Sequence, residues 1–426
     1  MIQELRITNF LSFKEEVTFS FEATSDNTLE DYYIYEPAPG VRLLKLAMVY
    51  GANASGKSNL INAFGFLRDT IFNTVESKEE EINFQPFQFD NTRNKPGRFE
   101  LVFWKNGVKY VYLMIVNNEF IHKEQLTFYP GTQPAIIFDR YIDFNTGTSV
   151  LDFGAKIKIS KTAKEEISLK TLRNISVFSA YSQINISIPE IDNGYNWFKD
   201  QLMDPINPYT TLTDYSDKHI QEDANIKKLA LQFIKKADFN ITDIIFDEEI
   251  KNIPEEIIAM IDSAPFPKSE IDRIKKEKVI HIETTIFEHE IVKEGKKEYF
   301  KLPEESQSKG TMRYYGLSAP FFNVIKNKGI LLIDEIGSAL HPLLVIHFIK
   351  EFLKKSESAQ LLLTTHNMSI LNEKDILRKD AVWFTEKGKD GATNLISVAD
   401  FPDFRKELSY YNYYKLGKFG GVPNLD

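Results

Sequence analysis

Gly51-Ala52-Asn53-Ala54-Ser55-Gly56-Lys57-Ser58 is the stretch that decides the fold, because it matches the phosphate-binding pattern G-x-x-x-x-G-K-[ST] at every fixed position. Residues 43–50 before it are apolar enough for a buried strand, and residues 59–70 after it have apolar side chains at helical spacing. A strand, this loop and a helix form the context that phosphate binding at a helix N-terminus requires. The sequence therefore predicts a nucleotide-binding loop.

The loop suits phosphate through its backbone and its last two side chains. Gly51 and Gly56 can adopt backbone angles that other residues avoid, so that successive N–H groups turn toward phosphate oxygens. Lys57 adds a positive charge at the β- and γ-phosphates, and Ser58 adds a hydroxyl for Mg²⁺, so ATP and Mg²⁺ are the expected ligands. The candidate nucleotide-binding residues are Gly51, Asn53, Ala54, Ser55, Gly56, Lys57, Ser58 and Asn59.

The overall composition is that of an ordinary globular protein. The chain has 426 residues, of which 42% are hydrophobic and 27% charged, which is enough for two or three domains. No stretch resembles a signal peptide and no apolar run approaches the roughly 20 residues of a membrane span, so we expect a cytoplasmic protein without a membrane partner. The lack of cysteine excludes disulfides and thiolate metal sites. A net charge of −9 gives no overall attraction for nucleic acid, although it is compatible with a local basic groove.

The pattern of apolar and charged residues divides the chain into three parts. Residues 1–150 carry the loop and strand-like runs separated by turn signals such as Asn106-Gly107, which predicts one lobe with an antiparallel sheet. Residues 151–278 have mainly helical spacing and predict an inserted helical domain. Residues 279–426 return to mixed strands and helices and form a second lobe. The expected fold class is α/β, with a mixed sheet around the loop.

A second set of chemically active residues follows the apolar run at residues 329–333. Asp334 and Glu335 end this run, and ligands of parallel sheets gather at the carboxyl ends of the strands. We expect Asp334 to hold Mg²⁺ and Glu335 to orient and polarise the attacking water. Adjacent acids at a strand end are common, so the pair indicates a catalytic site only in combination with the phosphate-binding loop.

His366 follows another apolar run, at residues 360–365. A histidine at a strand end can contact the γ-phosphate or can cap the helix that follows it. Its position after the acid pair favours the first role.

Together these motifs resemble the ABC-type ATPase head of chromosome-maintenance (SMC), RecF and OLD-family proteins. Five stretches carry the resemblance in the family's order: residues 51–59, Ser308-Lys309-Gly310-Thr311, residues 331–335, Ser338-Ala339-Leu340-His341-Pro342 and Thr364-Thr365-His366-Asn367. Within this superfamily the chain is most similar to RloA/AbiL-type bacterial ATPases of abortive infection, through residues 400–405 and 414–423.

The resemblance implies a role for each matching residue. Lys57 would bind the β- and γ-phosphates, and Ser58 and Asp334 would organise Mg²⁺. Glu335 would act as the general base and His366 as the switch histidine. These heads also place a glutamine near the metal.

Two assignments from the resemblance depend more on the position of the residues in the chain than on an exact match of residue types. Gln88 is our choice for the metal-approaching glutamine, with Gln85 as the alternative. Ser308, Lys309 and Gly310 match the signature loop, which in this superfamily contacts nucleotide on the opposite subunit. A homodimer or higher homo-oligomer with composite sites is therefore implied.

The chain departs from the family pattern at two positions. Gly337 stands where many relatives have an acidic residue, which weakens any assignment of contacts across a dimer in that loop. Lys309 stands where ABC transporters have glycine in the signature.

The resemblance leaves three functions to distinguish. The first is an ATPase whose ATP-dependent dimer controls a separately encoded effector, such as a Toprim-like nuclease, in anti-phage defence. The second is a RecF-like or SMC-like ATPase that binds DNA in repair or chromosome maintenance, and the third is a scaffold that binds ATP without turnover. The lack of a long heptad segment disfavours a long-armed SMC protein, and the negative charge mildly disfavours constitutive DNA binding. Glu335 disfavours the inert scaffold.

Overall fold

The computed structural model describes residues 1–237, 240–258, 260–261, 268–401, 404 and 409–422. These residues group into two compact units. The first comprises Met1–Thr210 and Asn323–Asp426, and the second comprises Thr211–Phe322.

Strands supply most of the framework of the first unit and one sheet of the second. Numbered in chain order, they are β1 Ile2–Thr8, β2 Val17–Ser20, β3 Ile34–Ala38, β4 Val41–Leu44, β5 Leu46–Gly51, β6 Gly97–Lys105, β7 Val108–Val116, β8 Ile121–Tyr129, β9 Ala135–Asp143, β10 Thr148–Phe153, β11 Ile241–Asn252, β12 Val279–Lys293, β13 Lys296–Pro303, β14 Ile330–Ile333, β15 Gln360–Thr364, β16 Val382–Lys387 and β17 Thr393–Ser397.

The helices are mostly short. In chain order they are α1 Glu30–Tyr33, α2 Lys57–Phe72, α3 Lys161–Lys170, α4 Val177–Ser182, α5 Pro189–Asp200, α6 Thr213–Glu222, α7 Ala224–Lys236, α8 Glu255–Ile258, α9 Lys268–Glu277, α10 Lys309–Gly316, α11 Ser318–Lys326, α12 Pro342–Lys355 and α13 Tyr410–Lys415. Within the described ranges, none of them combines the length and the apolar character that crossing a membrane would need.

A five-stranded mixed sheet carries the nucleotide loop. Its order is β14-β15-β5-β16-β17, in which the first four strands are parallel and β17 is antiparallel. Every residue of β5, β14 and β15 is buried, as expected for parallel strands covered on both faces. The loop and the acid pair therefore leave the sheet at the same edge, and the predicted α/β fold with a mixed sheet around the loop is confirmed.

The strand that leads into the loop is shorter than residues 43–50 predict. Lys45 separates β4 from β5, and its buried ammonium donates a hydrogen bond of 2.8 Å to the carbonyl of Ser356. β4 pairs with β3 in a separate two-stranded ribbon, whereas β5 enters the mixed sheet. One lysine thus divides an apolar run between two sheets.

The predicted antiparallel sheet is present as seven strands in the order β10-β9-β8-β7-β6-β1-β2. The turn between β6 and β7 is Asn106-Gly107, and both residues have positive φ, 51° and 75°. This is the geometry of a tight hairpin turn whose twist matches that of the strands it joins.

The second compact unit differs from the predicted helical domain at residues 151–278. Residues 151–210, with α3, α4 and α5, belong to the first unit, and the second unit contains a three-stranded antiparallel sheet, β11-β12-β13, beside its helices. β11 is difficult to see in the sequence because it contains the acidic run Asp247-Glu248-Glu249, which is unfavourable for a strand. β11 forms a strand because its neighbour β12, which is 15 residues long, pairs with it from Ile241 to Asn252.

Candidate nucleotide-binding site

The backbone of the loop adopts the conformation that its sequence predicts. β5 ends at Gly51 and α2 begins at Lys57, so the loop lies between a strand end and a helix N-terminus. Gly56 has φ of 106° and Ala54 has φ of 60°, which are left-handed values. A methyl group built on Gly56 would collide with the hydroxyl of Thr393 and lie 2.9 Å from that of Ser12, so only glycine fits there.

Three hydroxyl residues that the sequence did not point to hold the loop in place. Ser55 Oγ lies 2.6 Å from Thr385 Oγ1, and the hydroxyl of Thr393 donates to the carbonyl of Ser55 at 2.8 Å. The side-chain amide of Asn59 donates to Ser12 Oγ at 2.6 Å. Thr385 is 330 positions from Ser55 along the chain. No local spacing marks these residues, since only the neighbouring strands β16 and β17 bring two of them to the loop.

Lys57 is almost fully buried, with 4% of its surface exposed. Its ammonium donates hydrogen bonds of 3.0 Å to the carbonyls of Gly51 and Ala52, and lies 3.4 Å from Glu335 Oε1. An ammonium has three donors, of which the two carbonyls use two, and the carboxylate of Glu335 forms an ion pair with the same group. The two carbonyls belong to the loop itself. Phosphate oxygens bound in the loop would therefore replace these carbonyls as the acceptors of the Lys57 ammonium.

The acid pair stands at the end of β14 in a strained backbone. Glu335 has φ of 49°, which is uncommon for a residue with a side chain. Its N–H donates to Thr364 Oγ1 at 2.8 Å, and the Thr364 hydroxyl donates to Asp334 Oδ1 at 2.5 Å. Thr364 ends the neighbouring strand β15, and its orienting role was not evident from the sequence. Strain of this kind is often found where a side chain must be aimed at a ligand.

His366 lies beside the acid pair. Its Nδ1 is 2.7 Å from Glu335 Oε2, and 65% of its side chain is exposed. The alternative role, a helix cap, belongs to the next residue: the side chain of Asn367 accepts a hydrogen bond from the N–H of Ser369 at the start of the 3-10 helix Met368–Asn372. His366 is thus left available for a ligand.

The structure does not bring either glutamine to the acid pair. Gln88 is exposed and its amide donates to the carbonyl of Pro86 at 3.0 Å, while the carbonyl of Gln85 accepts from the N–H of Leu11. Within the described part of the chain, no hydrogen bond joins Gln85 or Gln88 to Asp334.

The signature residues belong to the second compact unit. Ser308 caps α10, and its Oγ accepts from the N–H of Thr311 at 3.0 Å, so that Lys309 and Gly310 form the first turn of that helix. A helix N-terminus with exposed polar residues is suited to a phosphate.

An open cavity of about 1150 Å³ adjoins the loop. Residues 51–55 and His366 line one part of it, and residues of β16 and of the C-terminal segment line the rest. Tyr414, Lys415, Gly421 and Val422 were assigned no role at this site from the sequence.

The residues present fit a nucleoside triphosphate with Mg²⁺. The ammonium of Lys57 has exchangeable partners, and Gly56 of the loop has no room for a Cβ. Of the predicted metal pair, the hydroxyl residue Ser58 lies in the first turn of α2, and the carboxylate residue Asp334 follows β14 in the same mixed sheet. Oxygen ligands of this kind are those that Mg²⁺ prefers, with phosphate oxygens completing the set.

Comparison with known proteins places the chain in a family. The family described as "AAA domain, putative AbiEii toxin, Type IV TA system" matches residues 46–372, which include the loop, the acid pair and His366. No curated protein matches the chain.

The similar solved structures are heads of SMC proteins. The SMC head domain from Thermotoga maritima is 13% identical, with a TM-score of 0.39, over 93% of this chain and 98% of that one. An Smc head bound to the C-terminal winged-helix domain of ScpA is 14% identical, with a TM-score of 0.39, over 96% and 99% of the two chains. An Smc head from Pyrococcus furiosus bound to the C-terminal domain of ScpA is 13% identical, with a TM-score of 0.35, over 98% of each.

Proposed function

The chain belongs to the AAA family whose description names an AbiEii toxin of type IV toxin–antitoxin systems, and we propose that it binds and hydrolyses ATP between two copies of itself to control a partner effector. The observation that carries this proposal is the continuous contact from Lys57 to Glu335 to His366, at 3.4 Å and 2.7 Å. It joins the phosphate-binding loop to a candidate base on the same edge of the sheet.

Binding of ATP begins with an exchange at Lys57. The ammonium leaves the carbonyls of Gly51 and Ala52 and takes β- and γ-phosphate oxygens as its acceptors. The N–H groups of the loop and of the first turn of α2 face the same phosphates. Ser58 and Asp334 would hold Mg²⁺, which supplies charge neutralisation at the phosphates. Thr364 keeps the Asp334 carboxylate oriented.

Glu335 then acts on water. Its Oε1 loses the ammonium of Lys57 as a partner when that group turns to phosphate, and the carboxylate is freed to accept a proton from the attacking water. His366 holds Oε2 through Nδ1, and a second hydrogen bond donated by its other ring nitrogen to the γ-phosphate would require the doubly protonated imidazolium ring. A role of Gln88 near the metal would require a movement of that segment on binding, because its amide donates to the carbonyl of Pro86 here. Gln85 remains the alternative.

The second copy supplies the signature. Ser308, Lys309 and Gly310 at the start of α10 would contact the γ-phosphate held by the other copy, so that two composite sites form in a homodimer. Higher oligomers can form from such dimers through other surfaces.

The controlled partner is an effector of anti-phage defence, in the manner of RloA/AbiL-type ATPases. Support comes from the family description, which names a toxin of a toxin–antitoxin system. The alternative, a DNA-binding ATPase of repair or chromosome maintenance, is less favoured by the net charge of −9. The neighbouring gene tests this part of the proposal: a Toprim-like nuclease or another toxic enzyme is expected there, and a repair operon would favour the alternative.

Mixing two inactive variants tests the composite site. Lys57→Ala removes the phosphate-binding ammonium and Ser308→Arg blocks the signature, so each variant alone should lack ATPase activity. In a 1:1 mixture half of the dimers are mixed and each has one intact site, so about a quarter of wild-type activity should return. Steady-state phosphate release measures it.

The matched control mixes Lys57→Ala with Glu335→Gln. Both changes lie on the same side of the composite site, so no mixed dimer has an intact site and no activity should return. Recovery in this control, or its absence in the Lys57→Ala and Ser308→Arg mixture, would contradict a site shared between copies.

A further inference from the structure

The C-terminal segment reaches the nucleotide loop although it lies beyond residue 372, where the family match ends. It consists of α13, Tyr410–Lys415, and the turn formed by residues 416–422. Tyr414, Lys415, Gly421 and Val422 line the same cavity as the loop. The mechanism above uses none of these residues.

Aromatic stacking fixes this segment to the strand beside the loop. The rings of Tyr414 and Phe419 stack on Phe384 with centroid distances of 4.8 Å and 5.1 Å. Phe384 is buried in β16 and directly precedes Thr385, whose hydroxyl contacts Ser55. The two stacked ring pairs hold the segment against the strand at this point.

A hydrogen bond closes the turn. The hydroxyl of Tyr414 donates to the carbonyl of Gly421 at 2.9 Å. Burial raises the pKa of Tyr414, so its hydroxyl remains a donor at any physiological pH. Gly421 is thereby held in one position relative to α13.

Gly421 packs directly on the start of the nucleotide loop. It has φ of 69°, and a methyl group built on it would lie 3.0 Å from the carbonyl oxygen of Thr385 and 3.6 Å from Cα of Gly51. The first distance is a tight contact and the second is ordinary van der Waals contact. Both neighbours are main-chain atoms, which cannot swing aside as a flexible side chain would. The carbonyl of Gly51 is one of the two that hold the ammonium of Lys57.

We propose that Gly421, held by Tyr414, is a positioning residue that fixes Gly51 and thereby sets the nucleotide loop for the phosphates of ATP. It acts through the backbone of the loop and touches no reacting atom. This role rests on the proposed ATP binding and deepens it, because a segment outside the matched family region determines how well the loop is preorganised.

Two glycine substitutions in the same turn test the proposal. Gly421→Ala places a methyl group against Thr385 and Gly51, whereas Gly417→Ala, at a nearly equal φ of 70°, meets only a side-chain carbon of Val422 at 3.3 Å. Both carry the cost of a left-handed alanine, so both should lower the melting temperature by similar amounts. Only Gly421→Ala should weaken ATP binding, by about 10-fold, while Gly417→Ala stays within about twofold.

Hydrogen exchange gives a readout that needs no nucleotide. The amides of residues 51–55 should exchange faster in Gly421→Ala and not in Gly417→Ala. Tyr414→Phe keeps the ring stacking and removes one hydrogen bond, so it should give a smaller change in the same direction, about threefold in ATP affinity, and it serves if Gly421→Ala does not fold.

The outcomes separate the two proposals. Equal effects of Gly421→Ala and Gly417→Ala on loop exchange, or an unchanged loop in both folded Gly421→Ala and Tyr414→Phe, would overturn the positioning role. Failure of the wild-type protein to bind ATP, with faster loop exchange in Gly421→Ala, would overturn the proposed function and leave the positioning role standing.

Discussion

Two groups of carboxylate and cation in the first compact unit use the same chemistry for different ends. One joins Lys57 to Glu335 beside the nucleotide cavity, and the other places Glu124 near Arg140 inside the antiparallel sheet. Their difference lies in access. Glu335 keeps 20% of its side chain exposed, whereas Glu124 and Arg140 are fully buried.

The buried group has hydrogen-bond partners within the protein, although Nη1 of Arg140 has none among the described residues. Glu124 accepts from the hydroxyl of Tyr112 at 2.9 Å and from the N–H of Val177, at the start of α4, at 2.8 Å. Arg140 donates to Ser149 and to two main-chain carbonyls. Burial raises the pKa of Glu124 to about 7 despite the attraction of Arg140, and it lowers the pKa of Arg140 to about 10.

The comparison shows that a charged pair marks a ligand site only when its partners can be exchanged. Lys57 is held by carbonyls of a loop that faces an open cavity, and a phosphate can take their place. Glu124 connects a strand of the antiparallel sheet to the start of α4, and it is not among the residues that line the cavity beside the nucleotide loop. We therefore expect changes at the first group to alter ATP binding or turnover and changes at the second to alter stability.

Removal of the Lys57 cation from the loop should have the largest effect, which is a loss of ATP binding. Lys57→Ala deletes the only loop side chain that carries a positive charge, so ATP affinity should fall by at least about 100-fold. Isothermal titration calorimetry with ATP and Mg²⁺ measures it. The control is Lys123→Ala in the antiparallel sheet, which removes a lysine paired with Asp139 and should leave ATP affinity unchanged. Retained affinity in Lys57→Ala would show that the loop does not hold the phosphates.

A substitution of the buried acid Glu124 should change the pH dependence of stability. Glu124 has a pKa of about 7 in the folded protein against 4.5 as its ordinary value, so the folded state holds one more proton between these values. Stability from this group is therefore complete below about pH 4.5 and is lost as the pH rises toward 7, by no more than about 3 kcal/mol. Glu124→Gln should abolish this slope.

Urea unfolding of wild type and Glu124→Gln between pH 5 and 8 measures the difference, at roughly half-unit steps. ATP affinity should agree within about twofold between the two proteins, because Glu124 touches no part of the loop. A slope that persists in Glu124→Gln would assign it to other groups, and a large loss of ATP binding would contradict the structural role.

The sequence predicted the parts of the site that are local or that end strands of the mixed sheet. The loop is recognisable because its pattern occupies eight consecutive residues. The carboxyl ends of parallel strands meet at one edge of a sheet, so Asp334, Glu335 and His366 were expected beside Lys57. The predicted boundary of the strand before the loop was less accurate because Lys45 divides it. In the sheet of the second unit, strand β11 was missed because it is rich in acidic residues.

Other features depend on contacts between distant parts of the chain, which no local pattern records. Thr385 and Thr393 reach the loop only because β16 and β17 pair beside β5. Gly421 lies against Gly51 through a turn that follows the last described helix. Gln88 illustrates the reverse case, since a resemblance suggested a role near the metal and the observed side chain donates to the carbonyl of Pro86 instead.

Phosphate release by Glu335→Gln is the measurement that tests the central claim most directly. The substitution keeps the shape of the side chain and removes its basicity, so turnover should fall by about 100-fold or more while ATP affinity changes little. Glu124→Gln, the same change at the buried acid, should leave turnover unchanged at a pH where both proteins are folded. Wild-type turnover in Glu335→Gln would contradict the assignment of this carboxylate, next to Lys57 and His366, as the base of an ATPase.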